Sequence, residues 1–296
     1  HAKKQLLFDI ALSRGLSGDV SVARYSEIPL PNTYTPFVPD TEIIARKGYF
    51  RYSKTDGADD WFMNFAHHDL FNGYGHFMFA QDEIQVAEHP ALASFRELML
   101  ARDDDLRPAT VDNGVPTPVL FRNLQRTVNI DTRSIYGARF ARSEDSAIQD
   151  AVSPLEPAPL SNILAIEAPI SSGNRIYGRP EIEAALRTAY SGFRALVLCS
   201  ATAATSLRPI ILHTGNWGCG AYGGNRQLML SIQMMAARLA GVTKLVFYCG
   251  ADNKDDIASF SNELSRQFKF RPGIAVDRVV DRLVSHGFPW GTPDGN

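Results

Sequence analysis

Three cysteines, Cys199, Cys219 and Cys249, are all the thiols this chain of 296 residues offers, and none sits in a CxxC or a Cys/His ligand spacing. An odd number cannot pair completely, so a disulfide framework is excluded and a reducing compartment, the cytoplasm among them, is expected. No apolar run approaches the roughly 20 residues that span a bilayer, so no membrane association is expected, and no leader segment is read in the opening residues. A strong charge of either sign is missing too: the net charge is −2. That excludes nucleic-acid binding through a bulk positive field. There is no Walker A lysine, no G-x-S-x-G and no calcium-loop spacing among the acids at Asp103–Asp105 or Asp252–Asp256. His67 and His68 are adjacent and point different ways, and with His76 they read as turn or surface histidines rather than a metal centre.

What is present is concentrated between Ile210 and Leu239. An apolar strand runs into a loop with glycines at 215, 218, 220, 223 and 224 and no Lys, Asp or Glu, and a helix follows. Glycine lets backbone N–H groups converge on a ligand, and the helix start adds unsatisfied N–H groups and a positive dipole end. Strand, loop and helix together make a cradle for a phosphate or diphosphate. Gly218 to Gly223 also forms a formal G-x-G-x-x-G, for which Asp252 is a candidate ribose acid. A dinucleotide fold and a ligand-free tight turn stay open at this point.

The pattern elsewhere divides the chain. Residues 1–60 read as an N-terminal accessory segment, with an extended proline-rich stretch over Ser26–Asp40. Residues 61–296 read as the main domain. Trp61–Ala66 is a buried strand, Phe71–Gly75 a turn, and a helix starts near Gln81 and breaks near Pro90. Glu144–Ser161, with Pro154, Pro157 and Pro159, reads as a surface loop. Strands at Ile163–Ala168, Pro209–Thr214 and Lys244–Cys249 alternate with helices from Pro180, over Asn225–Ala240, from Asp255 and from about Ala275. Such alternation implies an α/β fold, a parallel or mixed sheet covered on both faces, with ligands beyond the carboxyl ends of the strands. Asp82 and Glu83 lie at the start of a helix, where the macrodipole favours acids. Adjacent like charges also raise one carboxyl's pKa, which suits a general acid. Composition leaves both readings open.

Two segments together resemble the poly(ADP-ribose) glycohydrolase family. TGNWGCGAYGG (Thr214–Gly224) is similar to its phosphate loop, and GYGHFMFAQDEI (Gly73–Ile84) to its catalytic loop. NFAH (Asn64–His67), AIEAP (Ala165–Pro169) and LRTAYSGF (Leu186–Phe193) fall in the family's order between and around them. The resemblance implies a macrodomain-like mixed sheet sandwiched by helices, with ADP-ribose as ligand and neither metal nor nicotinamide as cofactor. It implies Glu83 as the catalytic acid and base and Asp82 as the acid that holds the neighbouring ribose. Asn64, His67, Asn72, Gly73 and Gln81 would shape the pocket. Thr214, Gly215, Asn216, Gly218, Cys219, Gly220, Ala221 and Tyr222 would wrap the diphosphate. Where the family has a glycine triplet this chain has Phe71-Asn72-Gly73, so a bulkier loop is expected beside the diphosphate. QDE and NFAH likewise depart from the family's QEE and DFAN. The departures turn the expectation from poly(ADP-ribose) chains toward single ADP-ribose units on arginine, ubiquitin arginine included, as in a related branch of bacterial effector hydrolases delivered into a host cell. A macrodomain that binds ADP-ribose without cleaving it is the alternative.

Overall fold

The computed structural model describes residues 1–35, 41–102, 107–171, 173, 175–203, 208–250, 259 and 272–293. The acid runs at Asp103–Asp105 and Asp252–Asp256, and the helix expected from Asp255, lie outside the described residues.

A seven-stranded sheet holds the chain together, in the order β1-β6-β9-β3-β10-β11-β2. Its strands are β1 (Ser21–Arg24), β2 (Glu42–Arg46), β3 (Asp59–Ala66), β6 (Val119–Gln125), β9 (Leu160–Glu167), β10 (Ile210–Gly215) and β11 (Lys244–Tyr248). β9, β3, β10, β11 and β2 are mutually parallel, whereas β6 runs antiparallel to both β9 and β1. Parallel strands covered on two faces have to be apolar on both, and β3 is. Trp61 and Met63 enter one core cluster and Ala66 the opposite one. β9 divides the same way, Leu164 and Ile166 to one side, Ile163 and Ala165 to the other. Residues 1–60 therefore do more than precede the sheet: they supply its two edge strands, β1 and β2.

One face is covered by α7 (Arg179–Ala203), α8 (Arg226–Ala240) and a C-terminal helix, α9 (Val276–His286). Pro180 sits in the first turn of α7, where its missing N–H breaks no ladder. The other face carries α1 (Ala2–Ala11), α2 (Gln81–Glu88), α3 (Ala91–Leu100) and the short helices α4 (Thr132–Ile135), α5 (Ala138–Arg142) and α6 (Asp145–Ala151). The break expected at Pro90 separates α2 from α3.

The Glu144–Ser161 segment is not a surface loop. It contains α6, then β8 (Val152–Pro154), paired antiparallel to β7 (Val128–Ile130), and the start of β9. Ile148, Ala151 and Val152 are buried and join a cluster with Leu7 of α1. The three prolines mark the end of β8 and the turn after it, so they punctuate order here rather than signal its loss.

The parallel strands end together. Register pairs Ala66 with Glu167, and Gly215 with Tyr248, which in turn pairs with Arg46. All five carboxyl ends thus open on one edge of the sheet, where open α/β sheets place their ligands.

Candidate active site

A cavity of about 980 Å³ lies at that edge, at the upper end of the range for small-molecule sites. One wall is the loop after β10. Gly218 has φ +71°, and a Cβ there would stand 2.9 Å from the Pro169 carbonyl oxygen, so only glycine fits the turn. The loop closes on itself through Cys219 N–H to Asn216 O (3.0 Å) and Gly224 N–H to Gly218 O (2.8 Å). The N–H groups of Gly218, Gly220, Ala221 and Tyr222 find no internal acceptor among the described residues. A run of unsatisfied N–H groups along a cavity wall is an anion-binding concavity. Beyond it, Asn225 caps α8, its Oδ1 accepting from Leu228 N–H at 3.0 Å, and Arg226 brings a cation to the same wall.

The facing wall is the first turn of α2. Gln81 fastens it to the sheet: its Oε1 accepts from Phe65 N–H (2.8 Å) and its Nε2 donates to Met63 O (3.1 Å), both on β3. Glu83 Oε2 accepts from Ala80 N–H at 2.9 Å, the return half of a capping box. That bond orients the carboxylate while Glu83 stays 5% exposed. Gly73 lies against its other oxygen, and a Cβ on residue 73 would come within 2.3 Å of Glu83 Oε1. Asp82 accepts from Asn64 Nδ2 at 2.9 Å. Burial, then the neighbouring Glu83 charge, push the Asp82 carboxyl up to about 7, against the opposing pull of Asn64 and Lys4. The raised Asp82 carboxyl thus stands beside the oriented Glu83 in one helical turn.

His67 completes this side. Asp69 N–H donates to its Nδ1 and Asn72 Nδ2 approaches the same atom, each at 3.2 Å. Burial, and then His68, lower its pKa, so the ring is neutral with its proton on Nε2. Tyr222 stands between the two walls. Burial and then the charges of Asp82, Glu83 and Glu167 push its phenol up to about 12, leaving it a neutral hydrogen-bond donor.

Most residues marked by the sequence meet around the cavity: Asp82, Glu83, His67, Asn72, Gln81, Gly215, Asn216, Gly218, Cys219, Gly220, Ala221 and Tyr222 all line it. Three do not. Asn64 is fully buried beneath Asp82, Gly73 sits behind Glu83, and Thr214 is turned inward, donating to Gln233 Oε1 at 2.5 Å. They position the wall rather than form it. The bulk expected from Phe71 does not reach the cavity either. Phe71 takes the left-handed φ of +61° that a glycine would adopt, and its buried ring packs 5.7 Å from Phe121. The loop keeps the glycine-like backbone and sends the side chain into the core.

A further sector escaped the sequence reading. Tyr49 and Tyr136 stack at 5.9 Å on the cavity wall, and Tyr52, Gln85, Glu88, Arg126 and Asn129 line its floor. Arg126 pairs with Glu88 at 2.6 Å and lies 4.3 Å over the Tyr52 ring, while Gln85 Nε2 donates to Tyr52 OH at 3.2 Å. Gln85 and Glu88 sit at helical spacing from Gln81, a periodic signal; the Tyr49–Tyr52 and Arg126–Tyr136 segments carry none. Among the described residues no group of three or more His, Cys, Asp or Glu is placed to hold a metal ion.

A helix-covered mixed sheet with a glycine loop and an acid-bearing helix start at one edge is the macrodomain arrangement. The structure of poly(ADP-ribose) glycohydrolase from Thermomonospora curvata, bound to the inhibitor ADP-HPD, has this fold: TM-score 0.50, 16% identity, covering 89% of this chain and 99% of that one. The Deinococcus radiodurans poly(ADP-ribose) glycohydrolase with ADP-ribose (15%, covering 90% and 92%) and the Oceanobacillus iheyensis macrodomain with ADP (12%, covering 85% and 99%) each have a TM-score of 0.42. A search of curated proteins found no match. The family description "Poly (ADP-ribose) glycohydrolase (PARG), Macro domain fold" matches residues 130–256, a span that holds the glycine loop but stops short of Asp82 and Glu83. The chain has a macrodomain fold, and its residues 130–256 match the PARG description.

Proposed function

We propose that this protein is an ADP-ribosyl glycohydrolase that cleaves the bond between C1″ of an ADP-ribose unit and a protein side chain. One observation carries the reading: a ligand-sized cavity has free loop N–H groups on one wall and a buried, oriented Glu83 on the other. The N–H groups of Gly218, Gly220, Ala221 and Tyr222, with Arg226 on the same wall, suit a diphosphate, and the Asp82–Glu83 pair then meets the distal ribose. With one proton on the pair, the acid protonates the departing atom as the C1″ bond lengthens and the ribose gains oxocarbenium character. The carboxylate left behind takes a proton from water, whose oxygen bonds to C1″. The products are free ADP-ribose and the unmodified side chain, and one water is consumed.

The finer reading is arginine as acceptor, ubiquitin arginine among the candidates. Its support is electrostatic. Asp82 and Glu83 line the wall opposite the glycine loop, where the leaving group would sit, and an acidic wall suits a departing guanidinium. The test is release of ADP-ribose from an arginine-modified protein and from poly(ADP-ribose), using the chain as it stands and with Asn64→Asp. Faster release from the arginine conjugate is expected. A preference for the polymer overturns the acceptor, and tight ADP-ribose binding without release from either substrate leaves a reader module instead.

A further inference from the structure

Helix α1 has a lysine where its pattern calls for an apolar side chain. Lys4, Leu7 and Ala11 form its buried stripe, and Lys4 is 2% exposed. An ammonium in such a place costs stability unless something needs it. Among the described residues no carboxylate lies within ion-pair distance of Lys4. Its Nζ instead donates to Tyr74 O at 3.1 Å and sits 5.1 Å from the Phe79 ring centre and 5.6 Å from that of Phe140. Burial lowers its pKa to about 8, while Glu83 and then Asp82 act in the opposite sense.

The Tyr74 contact and the longer-range charge both lead to the candidate active site. Tyr74 follows Gly73, the residue packed against Glu83 Oε1, so holding the Tyr74 carbonyl holds that backbone onto the carboxylate. Asp82 and Glu83 carry the charge that faces the ammonium from α2. Elsewhere on α2, Glu88 is buried and paired with Arg126 at 2.6 Å, and Glu144, Asp145 and Asp150 beside and on α6, Arg139 and Arg142 on α5 and His76 in the loop are exposed to solvent.

Resting on the glycohydrolase reading, we propose that Lys4 is a positioning residue of the reaction: its buried ammonium clamps the 73–75 backbone against Glu83 and is the counter-charge for the Asp82–Glu83 pair. The experiment compares the unaltered protein, Lys4→Met and Lys4→Arg. It measures ADP-ribose release across about pH 5 to 9, ADP-ribose affinity by calorimetry, Tm, and the Asp82 and Glu83 carboxyl titrations by carbon NMR. Lys4→Met is expected to lower kcat about tenfold or more with KM and affinity within about threefold, and to move the acidic limb and both carboxyl titrations up by about one pH unit. Its Tm at neutral pH is expected to change little, because the desolvation cost of the ammonium and the compensation it gives the acids are lost together. Lys4→Arg keeps the charge and is expected to restore the limb. An unmoved limb and unmoved titrations, or an activity loss that follows a fall in Tm, overturns the proposal. If the unaltered protein releases nothing, the glycohydrolase reading fails and takes the reaction role of Lys4 with it. The carboxyl titrations still report separately whether Lys4 is the pair's counter-charge.

Discussion

The two walls of the cavity do their work with different parts of the chain. The wall after β10 presents backbone: free N–H groups held in place by glycine geometry and the start of α8. The wall at α2 presents side chains, two buried carboxyls whose orientation depends on Ala80, Gln81, Asn64 and Gly73. Fixed dipoles made of backbone are insensitive to pH and to most neighbours. A buried acid pair is sensitive to both, because its charge state is set by every group that desolvates or faces it. On the proposed reading, the first wall serves binding and the second proton transfer.

The sharpest way to separate them is Glu83→Gln. ADP-ribose release is expected to fall by about a thousandfold, the span of a lost general acid–base, while calorimetric ADP-ribose affinity changes only a few-fold; a parallel loss of affinity would erase the division. Next come two alanines placed one on each wall. Gly73→Ala drives a Cβ into Glu83 Oε1 and should cost about a hundredfold in kcat through misplacement of the carboxylate, with little change in binding. Gly218→Ala strains a φ of +71° against Pro169 and should appear mainly as about tenfold weaker ADP-ribose binding. Reversal of that pattern would assign the walls the other way.

The smallest effect is the pH dependence of stability. The native Asp82 carboxyl, raised from 3.8 to about 7, keeps a proton that the unfolded chain has released. Between those values the native state binds more protons, so stability falls as pH rises and the loss is complete above about 7. Lys4 acts in the opposite sense at higher pH: its pKa, lowered from 10.5 to about 8, makes stability rise with pH between those values. Tm profiles of Asp82→Asn against the unaltered chain should show the acid-side slope flattened. An unchanged slope would mean that Asp82 is ionised in the native state.

How much of this was legible beforehand follows the same division. The glycine loop could be read because glycine spacing reports backbone geometry directly. β3, α7, α8 and the α2/α3 break could be read because periodicity and proline placement are local. Glu144–Ser161 misled because proline density says nothing about where Ile148 and Val152 will pack. Phe71 misled because side-chain bulk does not reveal which way a residue at positive φ points. The aromatic sector around Tyr49, Tyr52 and Tyr136, and Lys4 against the Tyr74 carbonyl, were invisible because each meets its neighbours only through segments distant in the chain.

By itself, then, the sequence determined β3, the α2/α3 break, the strands and helices from β9 to β11, the α/β order and the glycine loop, all of which rest on interactions between near neighbours. Tertiary structure decided which acids are buried, that residues 1–60 furnish both sheet edges, and that a lysine from α1 holds the Tyr74 carbonyl. The reason is physical: a carboxyl's proton affinity and a strand's partner are set by what packs against them, and that neighbour is fixed only when the sheet closes.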